Sequence, residues 1–213
     1  DSIKNALEEA LRIKDENPDT TVTVVSMGPP QADVAMREAL AMGADEAILI
    51  SGREFGGSDT WATSYIIATA IKKIPDYDII FCGRQAIDGD TAQVGPQIAE
   101  QLNIPQITYV QKLDIEGDKV IVQRQLEDGY TVVEAKMPVL LTAIKELNTP
   151  RYMTPKGIFE AYNKTVQVWG FNDVPVDAEK IGLKGSPTNV NRTFSPEAKG
   201  KGIICLLYTS DAA

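Results

Sequence analysis

The chain has 213 residues, 43% hydrophobic and 24% charged, which is enough to bury one substantial core and close to the globular average. Lys+Arg 21 against Asp+Glu 30 leaves a net charge of -9, which argues against a broad nucleic-acid footprint and an anionic membrane surface. Histidine is absent, and Cys82 and Cys205 lie far apart with no CxxC. Ser-His-Asp triads, His-ligated zinc, zinc ribbons and iron–sulfur ligation are therefore excluded.

In chain order, Ile3, Leu7, Ala10 and Leu11 fall at i, i+4, i+7 and i+8 between charges. They predict an amphipathic helix that ends at Asn17-Pro18-Asp19. Thr21–Met27 reads as a buried strand, broken by Gly28-Pro29-Pro30. Gln31–Met42 reads as a helix stopped by Gly43. Glu46–Ile50 is a second strand, and Ser51–Ser58 a glycine-rich loop. Asp59–Ile74 is a helix capped by Asp59. Asp78–Cys82 is a third strand, 83–90 a loop, Thr91–Gln101 a helix and Gln106–Val110 a fourth strand.

This alternation predicts a doubly wound, mostly parallel α/β sheet with helices on both faces. A further strand ahead of the first helix would complete the pattern, so the reading expects a chain truncated at its N-terminus. Lys112–Ile115, Val120–Gln125, Gly129–Ala135 and Val139–Ala143 then read as an added β meander. Asn148–Tyr162 holds Pro150 and Pro155 and a short helical end. The expected division is 1–169 for the α/β domain with its β extension and 170–202 for an extended arm docking on a partner subunit. Residues 203–213 do not continue the pattern and are expected to be an artefactual tail. The longest apolar run, Ile203–Leu207, is too short to span a bilayer. Two distant cysteines fit a reducing compartment, and the expectation is a bacterial cytoplasmic protein.

The most distinctive segment is Gly83-Arg-Gln-Ala-Ile-Asp-Gly-Asp-Thr-Ala-Gln-Val-Gly95-Pro96, which follows an apolar strand and opens a helix. In open α/β sheets, ligands sit beyond the carboxyl ends of the strands, and a helix start offers free N–H groups to an anion. Gly89 lets the backbone approach a phosphate, and Thr91 and Gln93 can add hydrogen bonds. Asp88 or Asp90 could cap the helix and point away from the anion. Arg84 could face a pyrophosphate or a flavin anion, or pair with a neighbouring carboxylate. The segment is neither a Walker loop nor a GxGxxG, so a plain strand-to-helix loop with capping aspartates stands as the alternative.

With its flanks, this segment closely resembles the nucleotide-binding signature of the electron transfer flavoprotein β subunit. The resemblance runs through Val24-Val-Ser-Met-Gly-Pro-Pro30, Ala39-Leu-Ala-Met-Gly-Ala-Asp45, Glu116-Gly-Asp-Lys119, Met137-Pro-Val-Leu-Leu-Thr142 and Pro150-Arg-Tyr152. It implies a Rossmann-like fold of the adenine nucleotide alpha hydrolase type. It also implies an α-subunit partner and a β-bound AMP or, in electron-bifurcating members, a β-bound FAD reduced by NADH. The Gly-Arg-Gln before the helix, the 56–60 loop and 185–188 resemble the bifurcating type. Carried over by position, the nucleotide contacts are Met27, Gly83, Arg84, Gln85, Ala86, Ile87, Asp88, Gly89, Asp90, Thr91, Ala92, Gln93 and Val94.

The same resemblance implies an acyl-CoA dehydrogenase as redox partner, met by a recognition loop within 148–165. Arg151, Tyr152, Met153, Thr154, Pro155, Ile158 and Phe159 are its candidates, although Thr154-Pro-Lys-Gly157 departs from the usual Thr-Leu-Pro-Asn; a plain surface loop is the alternative there. No catalytic side chain and no metal ligand is expected, since the flavin does the chemistry. A stand-alone adenine-nucleotide module of the universal-stress-protein type is the competing reading. Pro150-Arg-Tyr152 and the long arm argue against it.

Overall fold

In a computed structural model, which describes residues 2–87, 89–200 and 202, the chain alternates helices and strands as far as residue 116. Helix α1 (Ser2–Glu16) leads to β1 (Thr23–Met27), α2 (Asp33–Met42), β2 (Glu46–Ile50) and α3 (Thr60–Ile71). After these come β3 (Ile79–Gly83), α4 (Val94–Leu102) and β4 (Gln106–Glu116). Strands β5 (Lys119–Leu126), β6 (Gly129–Lys136) and β7 (Val139–Ala143) follow, then α5 (Pro155–Asn163), β8 (Val166–Trp169) and the single turn α6 (Gly182–Gly185). Asp88 and the 203–213 tail lie outside the described residues. Among the described residues no helix is long and apolar enough to cross a membrane.

The strands form two hydrogen-bonded groups. One is β1-β2-β8, wholly parallel; the other is β3-β7-β4-β5-β6. In the second, β3, β7 and β4 run parallel, while β5 and β6 add the antiparallel meander. β1 and β3 each have a partner on one side only. Alternate residues of β1 explain how helices cover both faces. Val24 packs with Leu7 and Leu11 of α1, whereas Val25 and Met27 pack with Ile66 of α3. Helix α1 also packs on β3 and β7, and Ile80 and Cys82 of β3 meet α3 and α4. Both helices thus bridge the two groups, from opposite faces. The residues of β1 and β3 are all only half-buried.

Three features depart from the sequence pattern. β7 is no part of the meander but lies in the sheet centre, between β3 and β4. Its five residues are all buried, which suits a parallel strand covered on both faces. β4 is one eleven-residue strand rather than two pieces. Thr108 and Tyr109 stand opposite the single residue Thr142, a bulge that turns the strand from the parallel core into the meander. β8, to which the sequence reading assigned no element, extends β2. The first part of the 170–202 arm folds back on its own chain: Val174 and Ile181 are buried against Ile50, Phe55 and Ile66.

Candidate functional site: the β3–α4 crevice

β3 ends at Gly83, and the chain then takes ten residues to reach α4 at Val94. The helix starts three residues later than the pattern predicts, and Asp90 is not its cap. The capping residue is Gln93, whose side chain makes no capping bond. The amides of Val94 and Gly95 therefore stand in a first turn where no intrahelical acceptor exists. Before them, Asp90 and Ala92 hold left-handed backbone at φ 50 and φ 53, while Gln93 returns to φ -108, ψ -30. A left-handed residue followed by a right-handed one turns successive N–H groups the same way, which makes a concavity for an anion. Such backbone is costly for residues other than glycine and persists only where the surroundings impose it.

The side chains form a polar chain along this turn. Arg84 Nε donates to Gln85 Oε1 at 3.1 Å, and the Gln85 amide donates to the Asp90 carboxylate. Asp90 N donates to Ala86 O at 3.0 Å, which closes the loop. Thr60 Oγ1 donates to Gln93 Oε1 at 3.3 Å and ties the α3 start to the α4 start. Ile87, Gly89 and Thr91 are exposed, and a Cβ on Gly89 would meet no atom within 4 Å. Met27 ends β1 and packs by its side chain beside Ile50 and Ile66. Met27 and Gly83 thus end the two strands at which the chain order reverses, where ligands settle in open sheets. One turn into α4, Gln97 carries a buried Oε1 with no donor among the described residues. Cys82, beside this turn, is inert: burial pushes its thiol up to about 12.

Three residues that the sequence did not single out also meet here. The Arg84 guanidinium lies 5.0 Å from the Tyr109 ring centroid, and that of Arg124 lies 5.8 Å from the same ring. Tyr109 stands at the bulge with φ 57, and its N–H donates to the buried Thr142 Oγ1 at 3.0 Å. Nothing in the local pattern marks them, since the bulge exists only through the β4–β7 pairing.

The 148–165 segment divides into an anchored part and an open part. Arg151 is committed to α1: Nε lies 2.8 Å from Glu8 Oε2, and Nη2 lies 2.7 Å from Asp15 Oδ2. Thr154 caps α5 by accepting from Gly157 N, and Pro155 opens that helix. Tyr152 is 95% exposed and Phe159 77%, with Met153, Ile158 and the previously unmarked Tyr162 exposed beside them. A pocket of about 310 Å³, lined by Gly43, Tyr152, Lys156 and Glu160 among others, lies between the end of α2 and α5.

The fold and the crevice define an open α/β protein with a backbone-amide cradle at its sheet switch point. Comparison with known proteins narrows this class. The profile of the electron transfer flavoprotein domain matches residues 1–174. The chain is 63% identical over 202 residues to the electron transfer flavoprotein subunit beta of Thermoanaerobacterium thermosaccharolyticum, covering 94% of this chain and 77% of that one. It is 58% identical over 198 residues to the caffeyl-CoA reductase-Etf complex subunit CarD of Acetobacterium woodii (93% and 76% covered). It is 45% identical over 203 residues to the protein FixA of Azotobacter vinelandii (92% and 72% covered). The chain belongs to the electron transfer flavoprotein β-subunit family, whose members are electron carriers.

Proposed function

We propose that this chain is the β half of a cytoplasmic heterodimeric electron carrier of the bifurcating type, which holds an FAD at the β3–α4 crevice. The observation that carries this reading is the amide cradle formed by Asp90, Ala92 and Gln93 at the uncapped start of α4. It presents N–H groups and the positive end of a helix dipole to a diphosphate. A flavin held there supplies hydride and single-electron redox chemistry with NADH as donor, and the protein binds and orients it. Among similar proteins, one is named as part of a caffeyl-CoA reductase-Etf complex and another as an acryloyl-CoA reductase electron transfer subunit, which favours an acyl-CoA dehydrogenase as redox partner here.

Residues 189–202, with Val190 and Phe194 exposed, would dock on the α subunit, and Tyr152, Met153, Ile158 and Phe159 on the dehydrogenase. The test is the nucleotide content of the complex purified with its α subunit. Two FAD per heterodimer, bleached by NADH, are expected. One FAD with one AMP would overturn the bifurcating assignment and leave an ordinary carrier.

A further inference from the structure

We propose that Arg37 is a positioning residue for the redox partner. From α2 it fixes the end of α5 and the Tyr162 ring, and so sets the exposed face of α5 in one arrangement before the partner arrives. This rests on the reading of Tyr152, Met153, Ile158 and Phe159 as the surface that meets the dehydrogenase.

Helix α5 has nine residues, too few to stand alone in water. Its apolar anchorage is slight, since Ala161 alone of its residues is buried. Phe159 and Tyr162 lie three residues apart and Ile158 and Tyr162 four apart, so these exposed side chains share one outer face. Polar ties therefore decide where that face points. Arg37 Nη1 donates to Ala161 O at 2.9 Å and to Lys164 O at 3.2 Å. Both lie at the end of α5, where the last carbonyls find no donor inside the helix and a cation suits the negative end of the dipole. Arg37 Nε donates to Asp33 Oδ2 at 2.9 Å, one turn back in α2, so the guanidinium is oriented and its charge already paired. Its Cζ lies 5.5 Å from the Tyr162 ring centroid. Lys164 returns the tie, for its Nζ donates to Ala44 O at 2.9 Å, just past α2. At the other end of α5, a Cβ on Gly157 would stand 2.4 Å from Ala41 O, so the helix start lies directly on the end of α2. With both ends of α5 fixed to α2, its outer face is set in advance, and a preset surface loses less freedom on docking. One guanidinium serves a carboxylate, two carbonyls and a ring together; a lysine ammonium has neither the fork nor the plane for all of them.

The test follows electron transfer between an acyl-CoA dehydrogenase that works with the parent αβ complex and the complex carrying Arg37→Met, at varied concentration of the complex. KM for the complex should rise roughly three- to tenfold, as for loss of a hydrogen bond, while kcat and flavin content stay near the parent's. Arg37→Lys should recover part of the rise. A parental KM overturns the proposal even where the melting point falls, because Arg37 then serves the fold alone. Loss of kcat or flavin in step with the rise in KM overturns it too. Should Arg37→Met not fold, the unaltered free complex decides: amides 161–164 must exchange hydrogen as slowly as those of α2, and exchange near the rate of an open chain overturns the preset arrangement. Phe159→Ala separates this proposal from the docking reading beneath it. If Phe159→Ala raises KM and Arg37→Met does not, only the positioning role falls. If neither raises it, the docking surface is misplaced and the positioning role falls with it.

Discussion

Two glycines of the crevice, six residues apart, answer to different constraints. A Cβ at Gly95 would lie 2.9 Å from Thr142 Cγ2, closer than packed side chains allow, with Cys82 Cβ in contact at 3.4 Å. Glycine here lets α4 lie against β3 and β7, so the need is one of folding. Gly95→Ala should therefore cost about 1–3 kcal/mol through overpacking, read as a melting point lower by roughly 2–10 °C. A wild-type melting point would mean that the helix does not sit so close. Gly89 is the reverse case. Its surroundings are open, and its φ lies outside the left-handed range. Gly89→Val should fold and melt like the parent yet lose its nucleotide by more than about tenfold, because the added side chain meets only the ligand's space. Retained nucleotide would remove this turn from the site.

At the scale of elements, α1 is held to the segment before α5 by the Arg151 fork. Glu8 has a side chain only 5% exposed and receives Arg151 N, Nε and Nη2, while Arg12 pairs with it one turn on. Burial pushes the Glu8 carboxyl up, but these donors outweigh it and hold the group below its ordinary 4.5. A depressed carboxyl stabilises the fold above its unfolded value, and that stabilisation drains away as pH falls through the folded value. Arg151→Met should cost about 2 kcal/mol at neutral pH, less than for a fully buried pair because Arg12 remains and Arg151 is partly wet. Denaturant melts should also show a shallower loss of stability below pH 4.5 than in the parent. Glu9 is raised by burial and has the opposite sign in both proteins, so the difference between variant and parent reports Glu8 together with Asp15, whose carboxyl Arg151 also lowers. Parallel curves would deny the pair its role. Arg151, read as a recognition residue, thus has an anchoring duty that no local pattern could show, since its partners lie more than a hundred residues away. The same distance hid other features. Helices and the first three strands follow local periodicity and were legible. The central place of β7, the β2–β8 pairing and the Tyr109 bulge depend on non-local pairing. The crevice was legible as a strand, a glycine-bearing turn and a helix; its left-handed residues and Arg124 were not.

For the whole molecule, the tie between the ends of the fold is Asp59. Its Oδ1 accepts from Ala62 N as the cap of α3, and its Oδ2 accepts from Thr188 N and Oγ1 at 2.9 and 2.8 Å. Asp59 N in turn donates to Ser186 Oγ. One carboxylate therefore starts a helix beside the candidate site and also fastens the arm, 129 residues further on. Burial raises the Asp59 carboxyl, and the amides of Ala62 and Thr188 with the Thr188 hydroxyl overcome this and lower it. Asp59→Ala removes both functions. Loss of the cap should cost about 1 kcal/mol, within the range measured for such caps. The arm should then exchange its amide hydrogens at 182–188 faster and be cleaved sooner by protease, while Val174 keeps the nearer part seated in its apolar cluster. Asp59→Asn keeps an acceptor for Ala62 N but loses the charge, so it should preserve the melting point better than alanine while still loosening the arm. If exchange at 182–188 is equal in all three proteins, the Asp59 carboxylate does not hold the arm. Because Thr60 of the same turn reaches Gln93 at the α4 start, a loosened arm should also be felt at the crevice as a faster nucleotide off-rate.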